Sequence, residues 1–152
     1  MKYKFKIGEE DVGEGRTLLW SGGTQRRGGV GLVLNSFARK ALLPFTHISS
    51  RLLRARIDGK HWMIIVLTCY APQNEADDED KDDFYTVLSS ELSSVPPHDY
   101  FIVLENHNAN IANSSCLYNA AVGPVTVDAQ NDNGERLIAQ LLHHPRPISH
   151  KY

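Results

Sequence analysis

Apolar positions in this chain recur with two different periods, and the elements can be read from them. Gly28-Gly29-Val30-Gly31-Leu32-Val33-Leu34-Asn35 is a β-favouring run with glycines at its entrance, as expected of a strand whose backbone is closely approached. Arg51 to Ile57 alternates basic and apolar residues, and His61 to Tyr70 is a nearly continuous run of β-branched and aromatic ones. Asp58-Gly59 between them is a tight-turn signal, so the two runs predict a β-hairpin. Its second arm is apolar on both faces, which predicts a central strand covered on each side. Asp99 to Leu104 predicts another buried strand, and it leads straight into the polar stretch Glu105-Asn106-His107-Asn108-Ala109-Asn110. In layered α/β folds, the carboxyl ends of strands are where ligands and catalytic groups gather.

The helical period appears twice. Glu75 to Asp83 holds seven carboxylates in nine residues and is followed by Phe84, Tyr85, Val87, Leu88 and Leu92. Acidic residues favour the positive end of a helix, so an amphipathic helix is expected to start in this run and end near Val95-Pro96-Pro97. The run lacks the alternating ligands and the glycine of a calcium loop. Asn131-Asp132-Asn133-Gly134-Glu135-Arg136 opens a second helix through Leu137, Ile138, Leu141 and Leu142, with Asn or Asp as its cap. Residues 1–27 read as a loosely ordered lead-in with one short strand around Leu18-Leu19-Trp20. The stretch 143–152, with two prolines and three histidines, reads as an unstructured tail.

Composition changes the picture in a few respects. The 152 residues suit one domain, and 41% hydrophobic with 22% charged residues is the balance of a globular protein. A formal net charge of −2 gives no global positive field for nucleic acid or an anionic membrane, so phosphate binding has to be local. Cys69 and Cys116 have no metal or redox spacing and read as reduced thiols. No apolar run approaches spanning length, and the lysines near Met1 are not followed by a secretory apolar region. An intracellular protein, nuclear or cytoplasmic and not held in a membrane, is expected. The sequon at Asn113-Ser114-Ser115 carries little weight in that setting.

Four stretches, taken in order, resemble a known family. They are Thr17 to Gly23 running into Arg26-Arg27-Gly28-Gly29-Val30-Gly31-Leu32, then Cys69-Tyr70-Ala71-Pro72, the acidic Asp77 to Tyr85 block, and Asn131 to Leu137. From about Gly15 to Leu142 the chain resembles the endonuclease/exonuclease/phosphatase superfamily. The likeness is to the endonucleases of non-LTR retrotransposons and to craniofacial development protein 2-like sequences among them. The resemblance implies an α+β fold, a partial two-sheet β-sandwich with flanking helices, incomplete at both ends. Residues 1–14 would be the lead-in, 15–142 the partial domain and 143–152 the tail. It implies magnesium-dependent hydrolysis of phosphodiesters in DNA, in which a cation neutralises the phosphate and a carboxylate takes a proton from the attacking water.

Residue by residue, the resemblance places Tyr70 where the family has a tyrosine that reaches the scissile phosphate. Gln73 stands where the family has a shorter amide, and Asn108 matches its phosphate- and metal-orienting Asn. Arg26 and Arg27 are candidate nucleic-acid contacts. Asn106 stands where the family has its water-activating Asp, and an amide cannot accept that proton at neutral pH. Glu105, in place of a glycine, is a candidate metal ligand, but neighbouring strand residues face opposite ways, so it is poorly placed to substitute for the Asp. The family's early metal-binding Glu has no counterpart near Glu9-Glu10, and its late Ser-Asp-His motif has none at His143, His144 or His150. The expectation is an endonuclease-like domain that does not cleave and does not bind magnesium productively. Alternatives are a weakly active metal nuclease and a binding module that touches phosphates through Arg26, Arg27, Arg51, Arg54 and Arg56. Unpartnered strand edges also predict self-association.

Overall fold

A computed structural model describes residues 7–22, 28–112 and 129–144. The elements run β1 (Gly8–Gly13), β2 (Arg16–Ser21), β3 (Val30–Asn35), α1 (Ser36–Lys40), β4 (Thr46–Ser49), β5 (Leu52–Asp58), β6 (Met63–Tyr70), α2 (Asp78–Ser93), β7 (Tyr100–Asn106) and α3 (Asp132–His143). They make one sheet of order β1-β2-β3 and a second of order β4-β5-β6-β7, which is the expected α+β arrangement of two sheets with helices. By internal contacts the chain forms two compact units. The first takes in the described residues up to Tyr70 together with Val95–Glu105; the second takes in Ala71–Ser94 and the described residues from Asn106 onward.

In the first unit the two sheets share a core because their strands alternate. On β2, Leu19 and Ser21 turn inward, and on β3 so does Leu34. They meet Leu53 and Ala55 of β5 and Val66 of β6, with Val30, Leu32, Phe45, Ile57 and Ile64 packed around them. Burial of each large aliphatic side chain contributes on the order of 1.5–3 kcal/mol. Ala55 pairs directly with Val66 and Leu53 with Thr68 in the antiparallel β5–β6 ladder. Ile65, Leu67 and Cys69, on the opposite face of β6, are buried as well. The expected hairpin and its covered central strand are therefore both present. A polar clasp joins the sheets where Ser21, buried in β2, accepts from His47 Nδ1 and donates to the Ser49 carbonyl at 2.6 Å. At one end Trp62 meets Tyr100 edge-to-face, and at the other the Ala71 amide donates to the Asn106 carbonyl, so β6 and β7 run parallel.

The second unit pairs α2 with α3. Lys81, Phe84, Tyr85, Leu88 and Leu92 line the buried face of α2 at helical spacing, and Leu137, Ile138 and Leu141 that of α3. The acidic run supplies the first turn of α2, as its charge pattern implies. Asn131 caps α3, its side chain accepting from the Gly134 amide at 2.9 Å.

Two readings are corrected, and two short elements are added. The described part of residues 1–27 is not a loose lead-in with one short strand but a β1–β2 hairpin, in register from Gly8 opposite Trp20 to Gly13 opposite Arg16. Its turn depends on left-handed backbone at Gly13, Glu14 and Gly15, and glycine adopts that conformation without steric cost. The sparse apolar pattern of β1, nearly all exposed, concealed it. The short elements α1 and β4, between the expected β3 and β5, were not anticipated. At the other end His143 is the last residue of α3 and His144 its cap, so the helix runs into the stretch read as tail. Cys116 and the sequon lie outside the described residues.

Candidate functional site

Tyr70 closes β6 in the first unit, and one residue grips it in three ways. The Tyr70 amide donates to the Arg51 carbonyl at 3.0 Å, and Arg51 Nη1 donates back to the Tyr70 carbonyl at 3.3 Å. The guanidinium carbon then sits 5.4 Å from the centre of the phenol ring, a cation–π contact. One residue earlier, buried Cys69 turns the other way and its thiol donates to Glu105 Oε2 at 3.7 Å. Burial pushes that thiol far above its ordinary range, and the adjacent Glu105 charge and hydrogen bond add to the shift. Cys69 is thus an inert packing thiol.

In the second unit the end of β7 is held by a web of asparagines. Asn106 is exposed, and its Oδ1 accepts from the Asn108 amide at 3.1 Å, a local turn of the kind Asx side chains form. Asn108 takes up left-handed backbone (φ 49°), which Asn tolerates, and its Nδ2 donates to the Ala71 carbonyl at 3.0 Å and, at longer range, to Pro72. Asn131 reaches back from the cap of α3: its Nδ2 donates to the Asn108 carbonyl at 2.9 Å, and its Oδ1 accepts from the Asn110 amide at 2.8 Å. Asn133, fully buried, donates to the Pro72 carbonyl at 2.9 Å, while its own carbonyl accepts from the Tyr85 hydroxyl at 3.1 Å. His107 is buried and stacks on the Tyr85 ring, with 6.4 Å between centroids. Gly134 lies so close to the loop that a Cβ there would stand 2.0 Å from the Asn110 carbonyl oxygen.

The sequence-derived residues thus divide. Asn106 and Asn108 share one turn, and the Asn108 side-chain amide donates to the Ala71 carbonyl. Gln73 is exposed, and its carbonyl accepts from the Ala76 amide in the turn before α2. Glu105 faces Cys69 while Asn106 faces solvent. Arg26 and Arg27 lie outside the described residues. Sequence reasoning missed the work of Asn131, Asn133 and Gly134 beyond capping. The signal was there in the two clusters Asn106-His107-Asn108-Ala109-Asn110 and Asn131-Asp132-Asn133-Gly134, since Asn is frequent where side chains must satisfy loop backbone.

The chain is distantly similar to craniofacial development protein 2. It is 29% identical to that protein of Bos taurus over 123 residues, which is 81% of this chain and 20% of that one. It is 27% identical to the protein of Tragulus javanicus over the same length, 21% of that chain. The chain therefore spans about a fifth of the length of the curated relatives it matches. No family model matches. Among the described residues, no helix is long and apolar enough to cross a membrane.

Proposed function

We propose that this chain is part of an endonuclease-like, phosphodiester-hydrolase scaffold of the non-LTR retrotransposon type, in which the hydrolytic step on DNA is lost at Asn106. The observation that carries the reading is the setting of Asn106. It ends a strand of the four-stranded sheet, its side chain is exposed, and its backbone carbonyl is tied to Ala71, next in sequence to Tyr70. A carboxylate at that point could take a proton from water attacking a phosphate; a carboxamide has no proton-accepting capacity there at neutral pH. Asn106 orders the loop through its bond to the Asn108 amide, and Asn108 secures the strand end after Tyr70. The α+β two-sheet fold and the distant similarity to craniofacial development protein 2 are consistent with this origin.

Magnesium, which the resemblance implies, does not fit the donors described here. Glu105 is the carboxylate at the end of β7, and its Oε2 accepts from a buried thiol. Magnesium takes hard oxygen donors in near-octahedral geometry and keeps several waters. Asn106 contributes only an amide oxygen, already accepting from the backbone.

A plasmid-nicking assay with added magnesium, on the parent chain and on Asn106→Asp, tests the reading. The substitution is nearly isosteric, and a carboxylate accepts from the Asn108 amide as well as the carboxamide does, so the turn survives. It also restores both the base and a hard oxygen. We expect a silent parent and weak nicking by the variant, which still lacks counterparts of the family's metal-binding Glu and Ser-Asp-His motif. Nicking by the parent overturns the loss of hydrolysis, and silence from a folded variant overturns Asn106 as its cause.

A further inference from the structure

We infer that Arg51 is a positioning residue that aims the Tyr70 hydroxyl at a phosphodiester oxygen, an inference that rests on the reading of Tyr70 as a phosphate contact. Two tyrosines in this molecule show the difference between a core phenol and an aimed one. Tyr85 is buried, 4% exposed, and its hydroxyl donates to the Asn133 carbonyl at 3.1 Å, so the polar end of the ring is satisfied internally. Tyr70 is half-buried, and among the described residues its hydroxyl has no hydrogen-bond partner. Yet its ring is not left loose. Arg51 holds the amide on one side of Tyr70 and the carbonyl on the other, and covers the ring with its guanidinium.

A phenol whose backbone is bonded on both sides and whose ring is covered, with no partner for its donor among the described residues, is arranged to meet a ligand. A phenolic O–H donates well to a non-bridging phosphate oxygen, and a neighbouring guanidinium favours the negative charge that such an oxygen carries. Arginine is the side chain this role requires. Its planar guanidinium stacks on a ring and donates in its own plane at the same time, whereas a lysine ammonium is a point charge that cannot do both.

The experiment uses the full chain labelled with carbon-13 at the tyrosine Cζ. Tyr70 is assigned by Tyr70→Phe among the six tyrosines. Spectra are recorded for the parent, Arg51→Lys and Arg51→Ala, free and titrated with a short DNA duplex without magnesium. If Arg51 positions Tyr70, both substitutions shift or broaden the free Tyr70 signal and leave the other five in place. The duplex affinity read from that signal then falls about two- to twelvefold, the loss of one hydrogen bond of about 0.5–1.5 kcal/mol. A free Tyr70 signal unchanged by both substitutions overturns the positioning role, even if the duplex moves it. A signal that depends on Arg51 but ignores the duplex in the parent overturns the phosphate contact and leaves Arg51 no ligand to serve. Tyr70→Phe keeps the ring for Arg51 to cover and does not rely on an Arg51 variant folding. Its duplex affinity should fall by the same factor with the salt slope unchanged, since no charge is lost, and parental affinity would overturn the proposal.

Discussion

In the first unit, Leu19, Leu34, Leu53, Ala55 and Val66 meet through side chains that carry no polar atom. In the second, Asn108, Asn131, Asn133 and Tyr85 donate through directed hydrogen bonds to the backbone carbonyls of Ala71, Asn108, Pro72 and Asn133, alongside the aliphatic residues shared by α2 and α3. The difference lies in what each kind of contact tolerates. Apolar burial scales with area and is indifferent to direction, so a core of this kind accepts a change of shape and loses stability in proportion to volume. A hydrogen-bonded web is indifferent to volume and sensitive to geometry, because removing one partner leaves the other buried and unsatisfied. The loop that ends β7 belongs to the second kind, so Asn106 is held by the Asn108 amide two residues on and the Ala71 amide thirty-five residues back, and not by a hydrophobic seat.

The strongest break in that contrast is made in the core. Leu19→Ala and Leu53→Ala each remove a fully buried side chain, and each should cost about 2–5 kcal/mol, from lost transfer and the cavity left behind. Urea unfolding followed by circular dichroism measures it. A loss below about 1 kcal/mol for both would mean that the two sheets are not closed by this cluster.

The same contrast explains how much was legible in the sequence. The apolar runs announced β3, the β5–β6 hairpin, β7 and both long helices because hydrophobic burial writes its period into the chain. Strand β1 escaped since Glu9, Glu10, Asp11 and Val12 are exposed and carry no such period; only the register with β2 makes it a strand. At the site, Tyr70, Asn106 and Asn108 could be picked out as residue types, and the opposite facing of Glu105 and Asn106 follows from strand geometry. The partners could not be read. Nothing in the spacing from Arg51 to Tyr70, or from Asn108 to Asn131, says that they touch, because such bonds depend on how loops close.

Smaller in effect, and sharper about the web, is Asn131. Its side chain makes three bonds, donating to the Asn108 carbonyl and accepting from the Asn110 and Gly134 amides. Asn131→Ala should cost about 1–3 kcal/mol, of which the helix cap accounts for about 1. Asn131→Asp keeps both acceptor bonds and suits the helix N-terminus but loses the donor, so it should fall between parent and alanine. Hydrogen exchange at the Asn110 and Gly134 amides separates the two, with protection retained in the aspartate variant and lost in the alanine one. Equal protection in both would show that the loop is held by something other than Asn131.

The smallest effect lies in the ion pairs that join α2 to α3. Buried Lys81 reaches Asp132 at 3.0 Å, and Arg136 contacts Asp132 at 2.9 Å and also pairs with Asp82. The Lys81 hydrogen bond first, and that of Arg136 second, hold the Asp132 carboxyl below its ordinary range. A carboxyl whose folded value is depressed stabilises the fold above its unfolded value of about 3.9, and that contribution is lost as pH falls through the lower folded value. Stability should therefore decline with acidification below about pH 4, modestly, because Asp132 is partly exposed and solvent screens the pairs. In Lys81→Met the main cause of the depression is gone, so less of the decline should come from Asp132. Urea midpoints of parent and variant, compared from about pH 5 downward at low and high salt, read the difference. Curves that stay parallel across that range would mean that Lys81 serves α2 through its buried methylene stem alone, and would move even this charged seam toward the apolar side of the comparison.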